Sequence, residues 1–309
     1  MRVVITGATG TIGTRLLAAL DAEVTVLTRD PDRARRKLNA AHFVAWDGRA
    51  AIAPSVFAEA DIVYHLAGEP VAGGRWTAEK KKRILESRVL GTRAVVDSIR
   101  QAGSKPNLVS ASAVGFYGSR GDELLTEESS AGAGFLADVC RAWEAEAAQA
   151  ERHGVHATML RIGIVLAREG GALERMLPLF RAGLGGRLGR GDQWMPWIHV
   201  DDVVALFLRA GRAPVLSGPL NAVAPHPVTN ATFTEALAHE LHRPAFLAAP
   251  EVAIRLAMGE LASVVLASQR VVPERALRAG YVFRHPTIEG ALADLFGHAQ
   301  FAERADVPS

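Results

Sequence analysis

The chain has 309 residues, of which 49% are hydrophobic and 22% are charged, and these ordinary values exclude a wholly disordered protein. Its formal net charge of +2 excludes a protein that binds nucleic acid through overall charge, although an isoelectric point near 8.9 allows a local basic patch. The single cysteine, Cys140, excludes an internal disulfide and a metal site built from several cysteines.

Short apolar strands alternate with helices in the first half of the chain. Strands are predicted at residues 3–5, 24–27, 42–46, 62–66, 107–110 and 158–161, and helices at 12–20, from Pro31 onward, at 77–99 and at 135–150. Because short and fully apolar strands must be covered on both faces, this alternation predicts a parallel sheet. With right-handed crossovers, the expected fold class is α/β with a doubly wound parallel sheet.

The pattern changes after Arg161. Residues 183–191 hold five glycines and predict a mobile loop, part of a glycine-rich segment near 183–194 on the substrate side. Residues 197–200 predict another strand, with Asp201 or Asp202 capping the helix that follows. Beyond about Pro225 the segments are mostly helical. We therefore predict a larger domain over 1–225 and a smaller, mostly helical C-terminal domain over 226–309.

The first strand is followed by a glycine loop, residues 7–13, that opens the first helix with the spacing G-x-x-G-x-x-G. Gly7 permits a tight turn, Gly10 lets a pyrophosphate approach the backbone, and Gly13 allows close packing of helix on strand. Unpaired N–H groups at the helix start attract phosphates, while the alternative is a glycine-rich turn without a ligand. The predicted pyrophosphate contacts are Gly7, Thr9, Gly10, Thr11, Ile12 and Gly13.

Residues after the second strand bear on which dinucleotide fits. An NAD enzyme places an acidic residue at the end of the second strand, where it binds the ribose hydroxyls. This chain has Thr28 and Arg29 there, and Arg33 follows one turn into the next helix. A guanidinium–phosphate contact favours NADP(H) over NAD(H), although these arginines also fit a solvated helix face. Asp30, beside Arg29, would repel a phosphate if it pointed inward.

Further cofactor contacts are expected at the ends of the later strands. Asp47 is an adenine-facing carboxylate or a plain surface residue, and small residues let the backbone pass over a bound cofactor after the fourth strand. The remaining predicted cofactor contacts are Asp47, Leu66, Ala67, Gly68 and Ser110.

Several of these motifs also carry a family resemblance. Residues 7–13, 65–68 and 110–118 resemble the extended short-chain dehydrogenase/reductases, the NAD(P)-dependent epimerase/dehydratases. Residues 68–70, 75–77, 191–202 and 268–273 look like an atypical subgroup labelled "epimerase family protein", which ends in a short C-terminal domain of unknown function. The resemblance spans essentially the whole chain. It implies a Rossmann fold, NADP binding in the larger domain and a substrate that the motifs do not identify.

The resemblance implies a catalytic Ser, Tyr and Lys, with Tyr and Lys four residues apart on one helix face. Four residues after the three tyrosines, Tyr64, Tyr117 and Tyr281, stand Gly68, Gly121 and His285, so the pair is missing. By the superfamily pattern its positions fall at about Leu136 and Cys140.

Few side chains could take over the catalytic role of the missing Tyr/Lys pair. Ser112 is expected to donate to a substrate carbonyl, or else it only closes a strand end. Tyr117 is a weaker catalytic candidate with a structural alternative, and Cys140 is a proton donor or a buried small hydrophobe.

The candidate substrate contacts are Glu69, Arg75, Arg88, Gln193 and Trp194, each with an ordinary structural alternative such as a surface charge or a hydrophobic anchor. His199 suits a structural hydrogen bond. No metal site is expected, because no His, Asp and Glu set has ligand spacing such as H-E-x-x-H.

These patterns predict an NADP(H)-binding oxidoreductase or epimerase-like enzyme that acts on a small carbonyl or hydroxyl compound without the Tyr/Lys pair. The alternative is a non-catalytic NADPH sensor or interaction protein. The basic run 80–83 favours a solvated helix face over nucleic-acid binding. Neither a signal-peptide core nor an apolar span is evident, so we expect a cytoplasmic protein without membrane contact. Extended members of the family that the chain resembles often dimerise through two long helices, so the resemblance implies a homodimer through helices 77–99 and 135–150.

Overall fold

The computed structural model describes residues 1–72 and 74–297. Its strands are β1 (Arg2–Thr6), β2 (Glu23–Thr28), β3 (His42–Ala45), β4 (Ile62–His65), β5 (Asn107–Ala113), β6 (Leu124–Leu125), β7 (Ala157–Ile162), β8 (Ile164–Leu166), β9 (Gly186–Leu188), β10 (Trp194–Met195), β11 (Trp197–His199), β12 (Gly218–Ala222), β13 (Val228–Thr229), β14 (Leu247–Ala249) and β15 (Arg270–Val271). Its α-helices are α1 (Thr11–Ala18), α2 (Pro31–Arg35), α3 (Ala78–Ala102), α4 (Phe135–Ala148), α5 (Gly171–Arg181), α6 (Val200–Arg212), α7 (Asn230–Glu240), α8 (Glu251–Met258), α9 (Ala262–Val265), α10 (Glu274–Arg278) and α11 (Ile288–Phe296).

One seven-stranded sheet organises the chain, in the order β12-β7-β5-β4-β1-β2-β3. Every neighbouring pair in it is parallel. The strand order reverses between β1 and β4, and ligands of such sheets bind outside the carboxyl ends of the strands at that reversal. The doubly wound fold predicted from the sequence is confirmed.

Both faces of the sheet are covered, which explains why its strands are apolar throughout. In β1, Val3 and Ile5 enter a core with Leu16 of α1 and Phe207 of α6, whereas Val4 enters a second core with Val95 of α3. The alternation of β1 side chains between two cores fixes its register, and the carboxyl end of β1 therefore delivers the glycine loop to the middle of the sheet edge.

Two local predictions are wrong. The glycine-rich segment is not a plain loop, because β9 lies within it and pairs in parallel with β14. Neither Asp201 nor Asp202 caps α6; the cap is His199, whose Nδ1 accepts the Asp201 N–H at 3.1 Å. Asp202 is engaged elsewhere, since its carboxylate accepts the N–H groups of Arg284 and His285.

The C-terminal segment is largely helical, as predicted, and its described part shares a core with Leu166 of β8 and Trp197 of β11. Phe233 and Leu237 of α7 pack there with Ala291 and Leu292 of α11. The boundary at residue 225 stays a prediction, and residues 298–309 of the expected second domain lie outside the described residues. Among the described helices, none is long and apolar enough to span a bilayer.

Candidate functional site

The glycine loop joins β1 to α1, and its three glycines meet different surroundings. Gly7 has φ +72°, and a Cβ there would lie 2.7 Å from the Leu66 carbonyl carbon. At Gly13 a Cβ would overlap the Gly7 carbonyl oxygen. At Gly10 it would meet only that same oxygen, at 3.4 Å, which is ordinary contact. The protein's own backbone therefore requires Gly7 and Gly13, whereas Gly10 keeps space free in front of the helix.

The start of α1 has the features of an anion site. Gly10 is its N-cap residue, no side chain caps the helix, and its first turn holds no acidic residue. Within residues 1–72 and 74–297, the N–H groups of the first turn therefore lack a carboxylate or hydroxyl as acceptor, and the helix dipole adds positive potential. Since Gly10 also leaves the approach open, these residues fit the pyrophosphate of a dinucleotide.

A buried polar cluster fixes the floor beneath this loop. The Thr6 hydroxyl lies 2.8 Å from His65 Nδ1 and accepts the N–H groups of Leu66 and Ala67, each at 3.1 Å. His65 Nε2 lies 3.1 Å from the Thr92 hydroxyl. Burial lowers the pKa of His65 to about 4, so the ring is neutral near pH 7. The cluster ties the ends of β1 and β4 together directly below the predicted cofactor position.

Asp30 does not obstruct the predicted phosphate contact. Its carboxylate caps α2 by accepting the Arg33 N–H at 2.9 Å, so its charge faces a helix N-terminus. Thr28 accepts the Asp30 N–H through its hydroxyl at 3.4 Å. Among the described residues, the guanidinium groups of Arg29 and Arg33 have no ion-pair partner. Two exposed cations therefore follow β2, at the sheet edge that carries the glycine loop.

Two other predicted cofactor residues have structural partners. Asp47 accepts the N–H groups of Arg49 and Ala50 at 2.8 and 2.7 Å, and these backbone bonds hold the pKa of its carboxyl below its usual value. Ser110 is fully buried and its hydroxyl donates to the Ala111 carbonyl, so its side chain does not reach the cleft surface.

Ser112 heads a buried charged network at the end of β5. Its hydroxyl donates to Glu144 Oε1 at 2.6 Å, and Arg161 holds both oxygens of that carboxylate, at 2.9 and 2.8 Å. All three residues are buried. A hydroxyl carries one hydrogen, so Ser112 presents lone pairs to anything else that approaches it. Donation to a substrate carbonyl would require the hydroxyl to leave Glu144.

Tyr117 belongs to the same network and not to the cleft. It is fully buried, donates to Asn221 Oδ1 at 2.7 Å and accepts from Arg161 at 2.9 Å. Burial raises its pKa to about 12. The structural alternative weighed for Tyr117 fits this placement, and a proton-transferring role does not.

The two positions where the superfamily pattern expects Tyr and Lys lie beside Gly115. A Cβ at Gly115 would be 3.2 Å from Leu136 Cβ and 3.8 Å from Cys140 Sγ. Burial raises the pKa of the Cys140 thiol to about 11, so the thiol is neutral and a poor proton donor near pH 7. Neither side chain replaces the acid chemistry of the missing pair.

Arg88 places a guanidinium next to these positions. Its Cζ would lie 3.3 Å from a Cβ at Gly68 and stands 5.0 Å from the Trp143 ring centre. It donates to the Glu69 carbonyl at 3.0 Å and interacts electrostatically with Cys140. Burial lowers the pKa of Arg88, but a guanidinium is still charged at neutral pH. A fixed cation therefore lies at the carboxyl end of β4.

Glu69 and Arg75 are less available than the sequence suggested. Lys80 forms an ion pair with Glu69 at 2.7 Å and, through this hydrogen bond, lowers the pKa of the Glu69 carboxyl. Lys80 is buried, which corrects the prediction that residues 80–83 form a solvated face. Arg75 donates to the Leu256 carbonyl of α8 at 3.2 Å and so joins the loop after β4 to the C-terminal segment.

Gln193 and Trp194 are held by protein partners. Gln193 donates to the Leu188 carbonyl at 3.1 Å, and the Trp194 indole donates to Asp122 at 2.8 Å. Sequence reasoning missed Gln269, whose amide donates to the Val114 and Gly118 carbonyls at 2.9 and 2.8 Å. It thereby fastens the loop after Ser112 to the C-terminal segment. Its motif was noticed only through the resemblance, because a lone glutamine has no spacing signal.

Comparisons with known proteins cover both parts of the chain. A family model described as the NAD dependent epimerase/dehydratase family matches residues 3–222, and a model of a domain of unknown function matches residues 249–295. An epimerase family protein of Mycobacterium bovis is 40% identical over 291 residues, covering 94% of this chain and 96% of the relative. A chloroplastic SDR39U1 homologue of Arabidopsis thaliana is 40% identical over 302 residues, covering 94% and 86%.

Solved structures agree with these matches. Human epimerase family protein SDR39U1, crystallised with NADPH, is similar with a TM-score of 0.85 and 31% identity, covering 97% of this chain and 100% of the human one. A nucleoside-diphosphate sugar epimerase of Corynebacterium glutamicum has a TM-score of 0.79 and 36% identity, covering 99% and 60%. A UDP-galactose 4-epimerase, 20% identical with a TM-score of 0.73, shares the fold.

Proposed function

The chain belongs to the NAD dependent epimerase/dehydratase family, and from this premise we propose that it is an NADP(H)-binding oxidoreductase or epimerase-like enzyme. The observation that carries the proposal is the uncapped start of α1 behind Gly10, on the same sheet edge as the unpaired Arg29 and Arg33. The NADPH in the crystals of the human relative supports it. The substrate we propose is a small carbonyl or hydroxyl compound.

Our proposal that NADP(H) is preferred over NAD(H) rests on charge. The 2′-phosphate of NADP carries negative charge that a ribose hydroxyl lacks, and a charge-assisted hydrogen bond to it contributes about 1.5–3 kcal/mol. Arg29 is exposed, and its guanidinium is not committed to an ion pair with a described residue. Two solved structures that contain NAD, those of MoeE5 and of a UDP-glucuronic acid 4-epimerase of Bacillus cereus, are 21% and 14% identical to this chain and indicate the fold alone.

In this proposal, some residues of the cleft bind the cofactor and others orient the substrate. When bound, NADPH supplies a hydride. The first-turn N–H groups of α1 hold its phosphates, and Arg29 with Arg33 holds the extra phosphate. Ser112 accepts a hydrogen bond from a substrate hydroxyl, because its own hydrogen is given to Glu144. Arg88 provides a nearby positive charge that favours developing negative charge on a substrate oxygen.

A second candidate function is a non-catalytic NADPH sensor or interaction protein. One observation favours it: Tyr64 and Tyr117 are fully buried, and the hydroxyl of Tyr281 is bonded to Asp202. No tyrosine of the described chain is therefore placed to donate a proton in the cleft. General acid–base help contributes about 10²–10⁴-fold, so its loss slows this chemistry without abolishing it.

Two measurements test the proposal together. Calorimetric titration with NADPH and NADH should give a tighter dissociation constant for NADPH. Single-turnover oxidation of bound NADPH is then followed at 340 nm across a panel of aldehydes and ketones. Consumption of NADPH with any carbonyl supports the enzyme. Tight binding with no consumption across the panel supports the sensor, and no binding of either nucleotide at millimolar concentration overturns both. A cytoplasmic location and a homodimer through α3 and α4 stay part of the proposal.

A further inference from the structure

Two histidines and two aspartates from segments distant in sequence meet at the N-terminus of α6. His199 ends β11, Asp201 lies in the first turn of α6, His285 precedes α11 and Asp294 lies within α11. One nitrogen or oxygen of each lies within 4.8 Å of the others. The imidazole centres of His199 and His285 are 3.8 Å apart. This His–Asp cluster shares no residue with the glycine loop and has no part in the function proposed above.

The Nε2 atoms of both histidines lack hydrogen-bond partners among the residues that the structure describes. His199 is 1% exposed and His285 8%, and the Nε2 atom of each is buried without a hydrogen-bond partner. Both atoms face the same oxygen, Asp294 Oδ2, at 3.4 Å from His199 and 4.0 Å from His285. These distances are too long for good N–H···O bonds. Buried polar atoms are normally paired, so their convergence on one carboxylate oxygen points to a missing common partner.

The three atoms match the ligand set of a transition metal. Two imidazoles and a carboxylate form a common zinc site, and ligands bound at about 2.0–2.2 Å with tetrahedral angles lie roughly 3.4 Å from one another. The His199–Asp294 separation already has this value, and the His285–Asp294 separation must shorten by roughly 0.6 Å.

Asp201 supplies the outer partner that a metal-bound imidazole needs. In the structure His199 Nδ1 accepts the Asp201 N–H, which places the ring proton on Nε2. Coordination through Nε2 requires the other tautomer, with the proton on Nδ1. Asp201 Oδ2 lies 3.9 Å from Nδ1 and accepts this proton once the Asp201 N–H, which points at Nδ1 in the structure, has turned away. Carboxylate–histidine–metal arrangements of this kind are typical of zinc sites.

We propose that His199, His285 and Asp294 bind one Zn²⁺, with Asp201 orienting His199 and a water completing the coordination. The ligands come from both matched regions of the chain, residues 3–222 and 249–295. The ion therefore ties the C-terminal segment to the sheet domain. The sequence offered no such signal, because the ligands lie 86 and 95 residues from His199 and not within one spaced motif.

The experiment uses the full chain stripped of metal with a chelator and titrated with Zn²⁺ in competition with a chromophoric zinc indicator. We expect one Zn²⁺ per chain and a higher thermal midpoint with Zn²⁺ than with Mg²⁺. Co²⁺ in place of Zn²⁺ should give a visible absorption spectrum typical of nitrogen and oxygen ligands. His285→Gln and Asp294→Asn should each weaken Zn²⁺ binding at least tenfold.

Controls separate this site from unfolding and from chance surface binding. His156→Gln removes an exposed histidine outside the cluster and should bind Zn²⁺ like the wild type. NADPH affinity should be the same in all four proteins, because none of the substituted residues belongs to the glycine loop, and unchanged affinity shows that the variants are folded. The proposal is overturned if the wild type binds no Zn²⁺. It is equally overturned if folded Asp294→Asn binds as tightly as the wild type.

Discussion

The hydroxyl of Thr6 lies 2.8 Å from Nδ1 of His65, and this contact determines the tautomer of a fully buried imidazole. The Thr6 oxygen accepts two backbone N–H groups, so its single hydrogen is free to donate to Nδ1. Nδ1 is then unprotonated, and Nε2–H donates to the Thr92 hydroxyl. A proton added to Nδ1 would oppose the Thr6 hydrogen and disrupt the floor of the cofactor loop.

Acid should therefore destabilise the protein through His65. Its pKa is about 4 in the folded chain and near 6.5 when unfolded, so the unfolded chain binds more protons between these values. Stability from this group is complete above pH 6.5 and falls as the pH drops towards 4, by roughly 3 kcal/mol. In His65→Gln, urea unfolding at several pH values should show a lower stability at pH 7 but a flatter slope between pH 6.5 and 4.

His153→Gln, at an exposed histidine, is the matched control and should keep the wild-type slope. An equally steep slope in His65→Gln would show that other groups cause the acid sensitivity.

Alanine at two glycines of the same loop should affect different properties: NADPH binding at Gly10 and the stability of the fold at Gly13. Gly10→Ala has room in the protein and should cost less than about 1 kcal/mol of stability, yet its methyl group takes the space left for phosphate. We expect NADPH binding to weaken at least tenfold. Gly13→Ala overlaps the Gly7 carbonyl oxygen and should lower the thermal midpoint by several degrees even without nucleotide. Equal stability of the two variants would contradict the assignment.

Arg29 should discriminate between the two dinucleotides. Arg29→Ala removes one phosphate contact, so NADPH affinity should fall about 10- to 150-fold while NADH affinity stays the same. Arg36→Ala removes an exposed charge from the residue directly after α2 and is the control for general electrostatics. Fluorescence titration at two ionic strengths measures all three proteins. An Arg29→Ala protein that binds NADPH normally would refute this role.

Ser112 should affect chemistry more than binding. Ser112→Ala removes the oxygen that accepts a hydrogen bond from a substrate hydroxyl, so the single-turnover rate of NADP⁺ reduction should drop about two- to tenfold with any alcohol found to react. The dissociation constant of NADPH should remain within twofold of the wild-type value, because the glycine loop is untouched. Unchanged turnover in this variant would contradict the proposed contact between Ser112 and the substrate oxygen.

Local periodicity was sufficient for most of the sheet but not for its last strand. β12 was missed because it holds Gly218 and Pro219, and proline in a strand is tolerated only at an edge, where β12 lies. The glycine loop was predicted because its signal is contained in seven consecutive residues. The cap of α6 was misassigned because Asp202 is recruited by Arg284 and His285, far along the chain.

Charged residues were the hardest to place from sequence. Lys80, Glu144 and Arg161 are buried in ion pairs whose partners are 11 and 17 residues apart, and nothing in periodicity distinguishes them from surface charges. The network beneath Ser112 was therefore invisible, although Ser112 itself was identified. Such pairs become apparent only when the sheet brings the ends of β5 and β7 side by side.

The guanidinium of Arg88 also limits how this chain could acquire the Tyr/Lys chemistry of its superfamily. Installing tyrosine at Leu136 and lysine at Cys140 would bring an ammonium group against a permanent cation in a partly buried space. The two like charges would lower the lysine's affinity for its proton, so the double replacement alone should yield an inert protein. Engineering that chemistry into this chain therefore takes a third change, at Arg88 to an uncharged side chain.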